Sequence, residues 1–352
     1  MSEPGVFTLP QPARERTLLP ALRELTEHHR EHSPEYRRIL AALDHRPGRA
    51  YRTLSELPWL PVGLFKRHTL RSVPAGEVFR VLTSSGTTGE VSRVYLDRAA
   101  AAAQQRALAA AMRTVVGRAR LPMLLVESRA VLRGPGALPA RAAGVLGMMG
   151  FGRDHAFVLD EREAPDPAAV AAFLHRHGGR PFLVFGFTFL VWSRLYDLAR
   201  QHGWDLSHGL LIHSGGWKRL TDRAVDNREF RERFGADTGL RRIHNFYGMV
   251  EQMGTIFLEG PSGDGLYCPD FADVLIRDPV SWRVLPVGEP GVVQVLSTLP
   301  RSYPGHVLLT EDLGVVHGVD DGDWPGRRFS VLGRVPRTEP RGCSDSYPGR
   351  AR

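Results

Sequence analysis

From about residue 80 onward, apolar runs and helical stretches alternate, and this rhythm restricts the chain to few folds. The apolar runs are "PMLLVE", "HAFVLD", "PFLVFGF", "LLIHSGG" and "RIHNFYG". Between them lie amphipathic stretches such as "DPAAVAAFLHRHG" and "TFLVWSRLYDLARQHG". Continuous apolar strands separated by helices predict an α/β domain with a largely parallel sheet. After about residue 254 the helical runs stop. "TIFLEG", "DVLIRDP", "GVVQVLS", "HVLLTEDLGVV" and "FSVLGR" then follow as short strands between Gly/Pro turns. This predicts a β-rich part, 255–334, packed on the α/β part.

The first 75 residues read differently. Leu18, Leu19, Leu22 and Leu25 form an apolar stripe at helical spacing. Ser33-Pro34-Glu35 is a helix start leading into "YRRILAAL". Pro58 and Pro61 then punctuate a loop carrying Phe65 and Lys66. The reading is a helical segment, 1–75, on a main domain, 76–334. The last residues, 335–352, contain Pro or Gly every few positions and read as an exposed, partly mobile tail.

Composition excludes several classes. Of 352 residues, 42% are hydrophobic and 24% charged, as in ordinary globular chains. No apolar run approaches a membrane span, and the first residues show no signal-peptide core, so a soluble, cytoplasmic protein is expected. Cys268 and Cys343 are too few for a disulfide framework or a cysteine-rich zinc site, and both read as free thiols. Cys268, in "GLYCPDF", reads as a small buried apolar residue. The net charge is +8, but arginines are scattered among acidic and apolar residues. With no basic run or aromatic strip, nucleic acid is not the expected partner. Only two of the 46 basic residues are lysine, Lys66 and Lys218, and they are either chance survivors of an arginine bias or places where a compact ammonium is needed and a planar guanidinium will not fit.

Between two strand-like stretches, "EVFRVL" (Glu77 to Leu82) and "RVYL" (Arg93 to Leu96), lies "TSSGTTGEVS", Thr83 to Ser92. Six of its ten residues are Ser or Thr and two are Gly, which suits neither a core strand nor a helix. It is either a polar hairpin loop or a cradle in which backbone N–H groups and hydroxyls converge on an anion. Asp97 then caps a long helical run.

Several loops together resemble a known superfamily. "SSGTTG" lacks the Gly-Lys-Ser/Thr of a Walker loop and resembles the phosphate loop of the acyl-adenylate-forming enzymes. "NFYGMVE" (Asn245 to Glu251) resembles their aromatic-Gly-x-x-Glu motif. "LPVGEPGVVQV" resembles the turn and strand before the ribose motif, and "LLTEDLG" the ribose motif itself, with Glu311 where the superfamily often has Gly. "LGR" (Leu332 to Arg334) resembles the hinge that ends the large domain. "LPVGLFKRHTL", "HSGGWK" and "GR…TEPRGCSD" narrow the resemblance to acyl-protein synthetases of the bacterial luciferase fatty-acid reductase system (the LuxE type), from about residue 20 to the end.

That resemblance implies the large domain of an adenylate-forming enzyme, with the C-terminal lid domain absent or vestigial. It implies ATP and Mg²⁺ as cofactors. Ser84, Ser85, Thr87 and Thr88, with Gly86 and Gly89, would hold the β- and γ-phosphates. Glu251 would hold Mg²⁺. Tyr247 and Gly248 would lie by the adenylate, Asp312 on the ribose, and Arg334 at the hinge. Gly215-Gly216 would let backbone approach the adenine or acyl group; as a bare pair it is a turn. A carboxylate oxygen attacks the α-phosphate of ATP, giving acyl-AMP and pyrophosphate. The acyl group then passes to Cys343 as a thioester and on to a cysteine of a partner acyl reductase. Arg337 and Arg341 would favour the Cys343 thiolate. A small-molecule carboxylic acid, fatty by resemblance, is the substrate.

The chain ends just past the hinge, without the further domain that carries a catalytic lysine in larger members. Lys66 or Lys218 is therefore the candidate for the α-phosphate or the substrate carboxylate. His213 and His244, at strand ends, read as satisfied core histidines. Phe182 to Trp192 is a candidate acyl-pocket wall or core. Two other classes remain open on the residues: a ligase that uses CoA or a carrier protein as external thiol, and a non-catalytic nucleotide-binding or RNA-binding protein.

Overall fold

A computed structural model describes residues 5–84, 91–133, 138–217 and 224–335, with backbone alone for 138–140. The N-terminal helices are α1 (Gln11–His32) and α2 (Pro34–Ala42), followed by β1 (Leu60–Pro61) and the one-turn α3 (Leu64–Arg67). Next come β2 (Arg80–Thr83), β3 (Arg93–Leu96) and α4 (Arg98–Val116). The α/β part continues with β4 (Leu121–Ser128), β5 (Leu138–Pro139), α5 (Ala140–Met149), β6 (Gly152–Leu159), α6 (Pro167–His177) and β7 (Phe182–Phe187). Then follow α7 (Thr188–Leu190), a π-helical turn (Val191–Tyr196), α8 (Asp197–His202), β8 (Gly209–Ser214), α9 (Asn227–Thr238) and β9 (Arg242–Tyr247). Beyond it only strands and short turns occur: β10 (Phe257–Glu259), β11 (Leu266–Tyr267), β12 (Ala272–Arg277), β13 (Gly291–Ser297), β14 (Val307–Val319) and β15 (Arg327–Arg334).

Twelve described strands form one sheet in the order β12-β13-β14-β15-β11-β10-β9-β8-β7-β4-β6, with β1 beside β14. β6, β4, β7, β8 and β9 are parallel; from β10 on, neighbours along this order pair antiparallel, while β1 lies parallel to β14. The expected rhythm is thus present, and so is the switch after residue 254. All six residues of β7 and of β8 are buried, which explains runs without polar alternation. A second sheet, β3-β2-β5, carries the Ser/Thr-rich loop.

Helix starts follow local chemistry. Asp97, Asp166 and Asp226 each accept a hydrogen bond from the backbone N–H three residues on, at 2.7, 2.9 and 2.8 Å. Leu18, Leu22 and Leu25 of α1 pack on Leu275, Leu296 and Val307 of the antiparallel strands. The "EVFRVL" strand starts later than expected. Ala75–Glu77 is a 3₁₀ turn, with Glu77 N–H bonded to Pro74 O at 3.1 Å, so pairing begins at Arg80. "TFLVWSRLYDLARQHG" is helical but widens into the π turn at its centre. Phe182, Leu183, Val184, Phe185 and Phe187 are core side chains. No helix among the described residues is long and apolar enough to cross a membrane.

Candidate active site

The carboxyl ends of β8 and β9 lie side by side where the sheet changes from parallel to antiparallel. Open α/β sheets bind ligands at such ends. Thr188 Oγ1 donates to Ser214 O at 3.1 Å and lies 2.9 Å from His213 Nδ1, which fixes the end of β8. Gly215 follows at φ +83°, a conformation that favours glycine, and Gly216 continues the turn. On β9, Asn245 N–H donates to Glu259 Oε2 at 2.9 Å, and Arg231 and Asn227 hold that carboxylate from the other side. Tyr247 and Gly248 lead from this anchored strand into the turn Val250–Gln252.

Glu251 sits on that turn and is only 6% exposed. Gln252 Nε2 donates to Gly305 O at 2.9 Å, and Gly254 presses against Gln104 of α4; a Cβ there would lie 2.7 Å from the Gln104 Cα. Both contacts hold the Glu251 turn. Burial pushes the Glu251 carboxyl above its ordinary value, while the Ser92 hydroxyl, Lys66 and Arg334 oppose the shift. Ser92 is the return end of the Ser/Thr-rich loop. Its N–H donates to Ser84 Oγ at 2.9 Å, and Ser84 N–H donates to Ser92 O at 3.2 Å. The loop root is thereby pinned beside Glu251. Ser85, Gly86, Thr87, Thr88 and Gly89 lie outside the described residues, as do Lys218 and Cys343.

The ribose-motif carboxylate faces the same region. Asp312 accepts from Tyr247 OH at 2.7 Å on Oδ2 and pairs with Arg334 Nε at 3.2 Å on Oδ1. Asp312 and Arg334 are register partners on β14 and β15. Asp312 N–H donates to Thr310 Oγ1 at 3.1 Å, which fixes its backbone. Burial raises the Asp312 carboxyl; Arg334 and the Tyr247 hydroxyl counter it. Burial first, and Asp312 second, hold the Tyr247 hydroxyl well above its ordinary value, so it remains a donor at neutral pH. Glu311 bridges two cations, Lys66 Nζ at 3.7 Å and Arg334 Nη1 at 3.1 Å.

Lys66, Ser84, Tyr247, Glu251, Asp312 and Arg334 therefore share one region. Residues from five separated stretches carry a polar surface suited to an anion with ribose-like hydroxyls. Among the described residues no group of three or more His, Cys, Asp or Glu can hold a metal alone. A dry carboxylate at Glu251 beside the loop root still fits a cation that brings phosphate oxygens as further ligands.

Ser92 and Glu311 were not picked out as site residues from the sequence. Ser92 is the last hydroxyl of the quoted loop, a signal that was available. Glu311 was visible only as a departure from Gly. His213 and His244 are buried; His244 Nδ1 lies 2.9 Å from Glu259 O. Cys268 is fully buried, and burial raises its thiol far above the ordinary range.

The family described as "Acyl-protein synthetase, LuxE" matches residues 10–350. The long-chain-fatty-acid–luciferin-component ligase of Vibrio harveyi is 26% identical over 335 residues, covering 90% of this chain and 84% of that protein. Its namesake from Aliivibrio fischeri is 22% identical over 304 residues, covering 83% and 78%. Among solved structures, 2-hydroxyisobutyryl-CoA ligase in an open conformation with 2-HIB-AMP and CoA superposes with a TM-score of 0.71 at 20% identity, over 94% of this chain and 72% of that one. The same enzyme in its postadenylation state with 2-HIB-AMP gives 0.71 at 20% identity, over 93% and 69%. The fold is that of the adenylate-forming ligases.

Proposed function

The chain belongs to the LuxE family of acyl-protein synthetases and is an AMP-forming ligase, and from that premise we propose that it activates a long-chain fatty acid and carries it as a thioester on Cys343. The observation that carries this reading is the convergence of the Ser84–Ser92 loop root, Glu251, Lys66 and the Tyr247–Asp312–Arg334 group at the sheet's carboxyl-end switch. The acid class follows the names of the two bacterial relatives.

Asp312 takes the ribose hydroxyls, with its backbone set by Thr310 and one oxygen oriented by Tyr247. The hydroxyls and backbone between Ser84 and Ser92 take the β- and γ-phosphates. Glu251 would hold Mg²⁺, and the chemistry that ion would supply there is charge neutralisation. Lys66 is the cation for the α-phosphate or the substrate carboxylate, and Lys218 is the second candidate. The acid's oxygen forms a bond to the α-phosphorus as the bond to the bridging oxygen breaks and pyrophosphate leaves. Holding both reactants in line supplies much of the acceleration. The Cys343 thiolate then attacks the acyl carbon, the bond to the AMP phosphate breaks, and AMP leaves. For Cys343 the support is the sequence "RGCSD" and the family match through residue 350. The thioester is delivered to a thiol of a partner acyl reductase.

Covalent labelling tests this. Purified protein receives ATP, Mg²⁺ and alkyne-tagged acids, with and without CoA, and is then denatured. Hydroxylamine-labile label that needs ATP, and is absent in Cys343→Ser while ATP–pyrophosphate exchange persists, is the expected result. Absence of label, with pyrophosphate release that rises with CoA, would replace it with a ligase using an external thiol.

A further inference from the structure

Glu311 offers one oxygen to each of two cations that arrive from opposite ends of the chain. Oε1 lies 3.7 Å from Lys66 Nζ, and Oε2 lies 3.1 Å from Arg334 Nη1. The three side chains are 16 to 30% exposed, so the cluster sits at the rim of the site rather than in bulk water. The backbone brings them together. Leu60 and Pro61 of β1 pair with Leu308 and Leu309 of β14, and Val62 N–H donates to Leu309 O at 2.9 Å. That pairing sets α3, and therefore Lys66, beside Glu311. On the other side, Val335 N–H donates to Glu311 O at 2.9 Å, which ties the end of β15 to the same residue.

Neither cation is fixed by its backbone alone. Lys66 carries its charge on a flexible four-carbon stem, and the Glu311 carboxylate lies within ion-pair reach of it. Arg334 also pairs with Asp312 Oδ1, but the other Asp312 oxygen is taken by Tyr247. A ribose arriving at Asp312 must share Oδ1 with Arg334 or displace it. Glu311, through Nη1, is a second carboxylate contact that holds the guanidinium in place.

We infer that Glu311 is a positioning residue that holds Lys66 and Arg334 beside Glu251 and Asp312, so that their charge is set for a nucleoside triphosphate before it binds. The inference rests on the nucleotide reading of this site proposed above. It makes a prediction opposite in sign to simple charge counting. Removing a carboxylate from a polyanion site should tighten binding if Glu311 acts only as a nearby negative charge. Removing it should weaken binding if Glu311 acts by holding the two cations, since a charge-assisted pair that orients them is lost.

The test uses the full-length protein with Mg²⁺-ATP and tetradecanoic acid. ATP–pyrophosphate exchange gives KM and kcat, and calorimetric titration with Mg²⁺-ATP alone gives Kd. Glu311→Gln keeps the side chain's shape and should raise both Kd and KM for ATP about tenfold, with the KM for the acid changed less than about twofold. Glu311→Asp keeps the charge but loses reach, and should recover only part of the loss. In the Lys66→Met background, Glu311→Gln should cost distinctly less than it does alone, because coupled residues are not additive. Thermal melts establish that each variant is folded. An ATP affinity that is unchanged or improved in Glu311→Gln, or losses that multiply in the double variant, would overturn the assignment. If the wild type shows no exchange with any acid, the ligase chemistry fails as a reading, and the calorimetric arm still decides the role of Glu311.

Discussion

Replacing Arg141 with methionine leaves the Glu127 carboxylate buried without its countercharge. The two side chains are each 1% exposed and meet through two contacts, Arg141 Nε to Glu127 Oε2 at 2.7 Å and Nη2 to Oε1 at 2.6 Å. Glu127 is the next-to-last residue of β4 in the large sheet, whereas Arg141 follows β5 of the small one. Since β5 pairs with β2 at Leu82 and Thr83, the ion pair ties the strand that leads into Ser84 to the main core. Removing one partner of such a pair costs about 3–5 kcal/mol, because the remaining charge stays desolvated. Unfolding entropy of about 2.1 cal/mol/K per residue gives roughly 0.7 kcal/mol/K for a 352-residue chain, so Arg141→Met should lower Tm by about 4–7 °C. The double variant Glu127→Met/Arg141→Met removes both charges and should recover most of that loss. Differential scanning fluorimetry with urea titration of all four proteins measures the cycle. A double variant as unstable as the sum of the singles would refute the desolvation argument and leave lost packing as the cause.

Three further outcomes can be checked in the same laboratory. Burial holds His306 and His213 at about 3, well below their ordinary value, with His28 adding to the effect at His306 and Arg231 and His244 at His213. A depressed histidine leaves stability intact above about 6.5, the unfolded value, and removes it as pH falls toward the folded one; at pH 5.5 each costs about 1.4 kcal/mol. Glu251, Glu259 and Asp312 have raised values and act in the opposite sense, closer to the ordinary carboxylate range. Tm should therefore fall between pH 7 and 5.5, and His306→Gln should flatten that fall; an unchanged slope refutes the histidine assignment. Gly254→Ala places a Cβ 2.7 Å from the Gln104 Cα at φ +86°, so it should destabilise by about 1–3 kcal/mol and depress ATP–pyrophosphate exchange by moving the Glu251 turn. Normal exchange together with a normal melt would show that the turn relaxes at no cost.

The parts of the fold that were legible in the sequence are those in which side chains report their own environment. Apart from its proline and glycine, all five residues of "PFLVFGF" are apolar, because β7 is buried on both faces, and Asp97, Asp166 and Asp226 announce helix starts with contacts three residues away. The late start of β2 was not legible. Nothing in "EVFRVL" marks that Ala75–Glu77 closes a turn onto Pro74 before pairing begins. Within the site, Tyr247, Glu251 and Asp312 stand in recognisable strings, but their partners do not. Glu127 and Arg141 are ordinary charges in the sequence and become a buried pair only because two sheets meet.

Glu311 and Asp312 show the limit most clearly. In a regular strand, consecutive side chains point to opposite faces, so a sequence reading assigns these two carboxylates different surroundings. Arg334 nevertheless meets both, Glu311 through Nη1 and Asp312 through Nε. The β14–β15 register shifts between Leu313 and Gly314, directly beyond the pair. A bulge of this kind bends the strand and re-aims its side chains, and bulges recur beside functional sites. The Glu in place of Gly at 311 then acquires a physical sense. A glycine at that position would remove the carboxylate that Lys66 and Arg334 both approach. Which cations a carboxylate gathers is decided by register, and register is a property of paired strands rather than of either string.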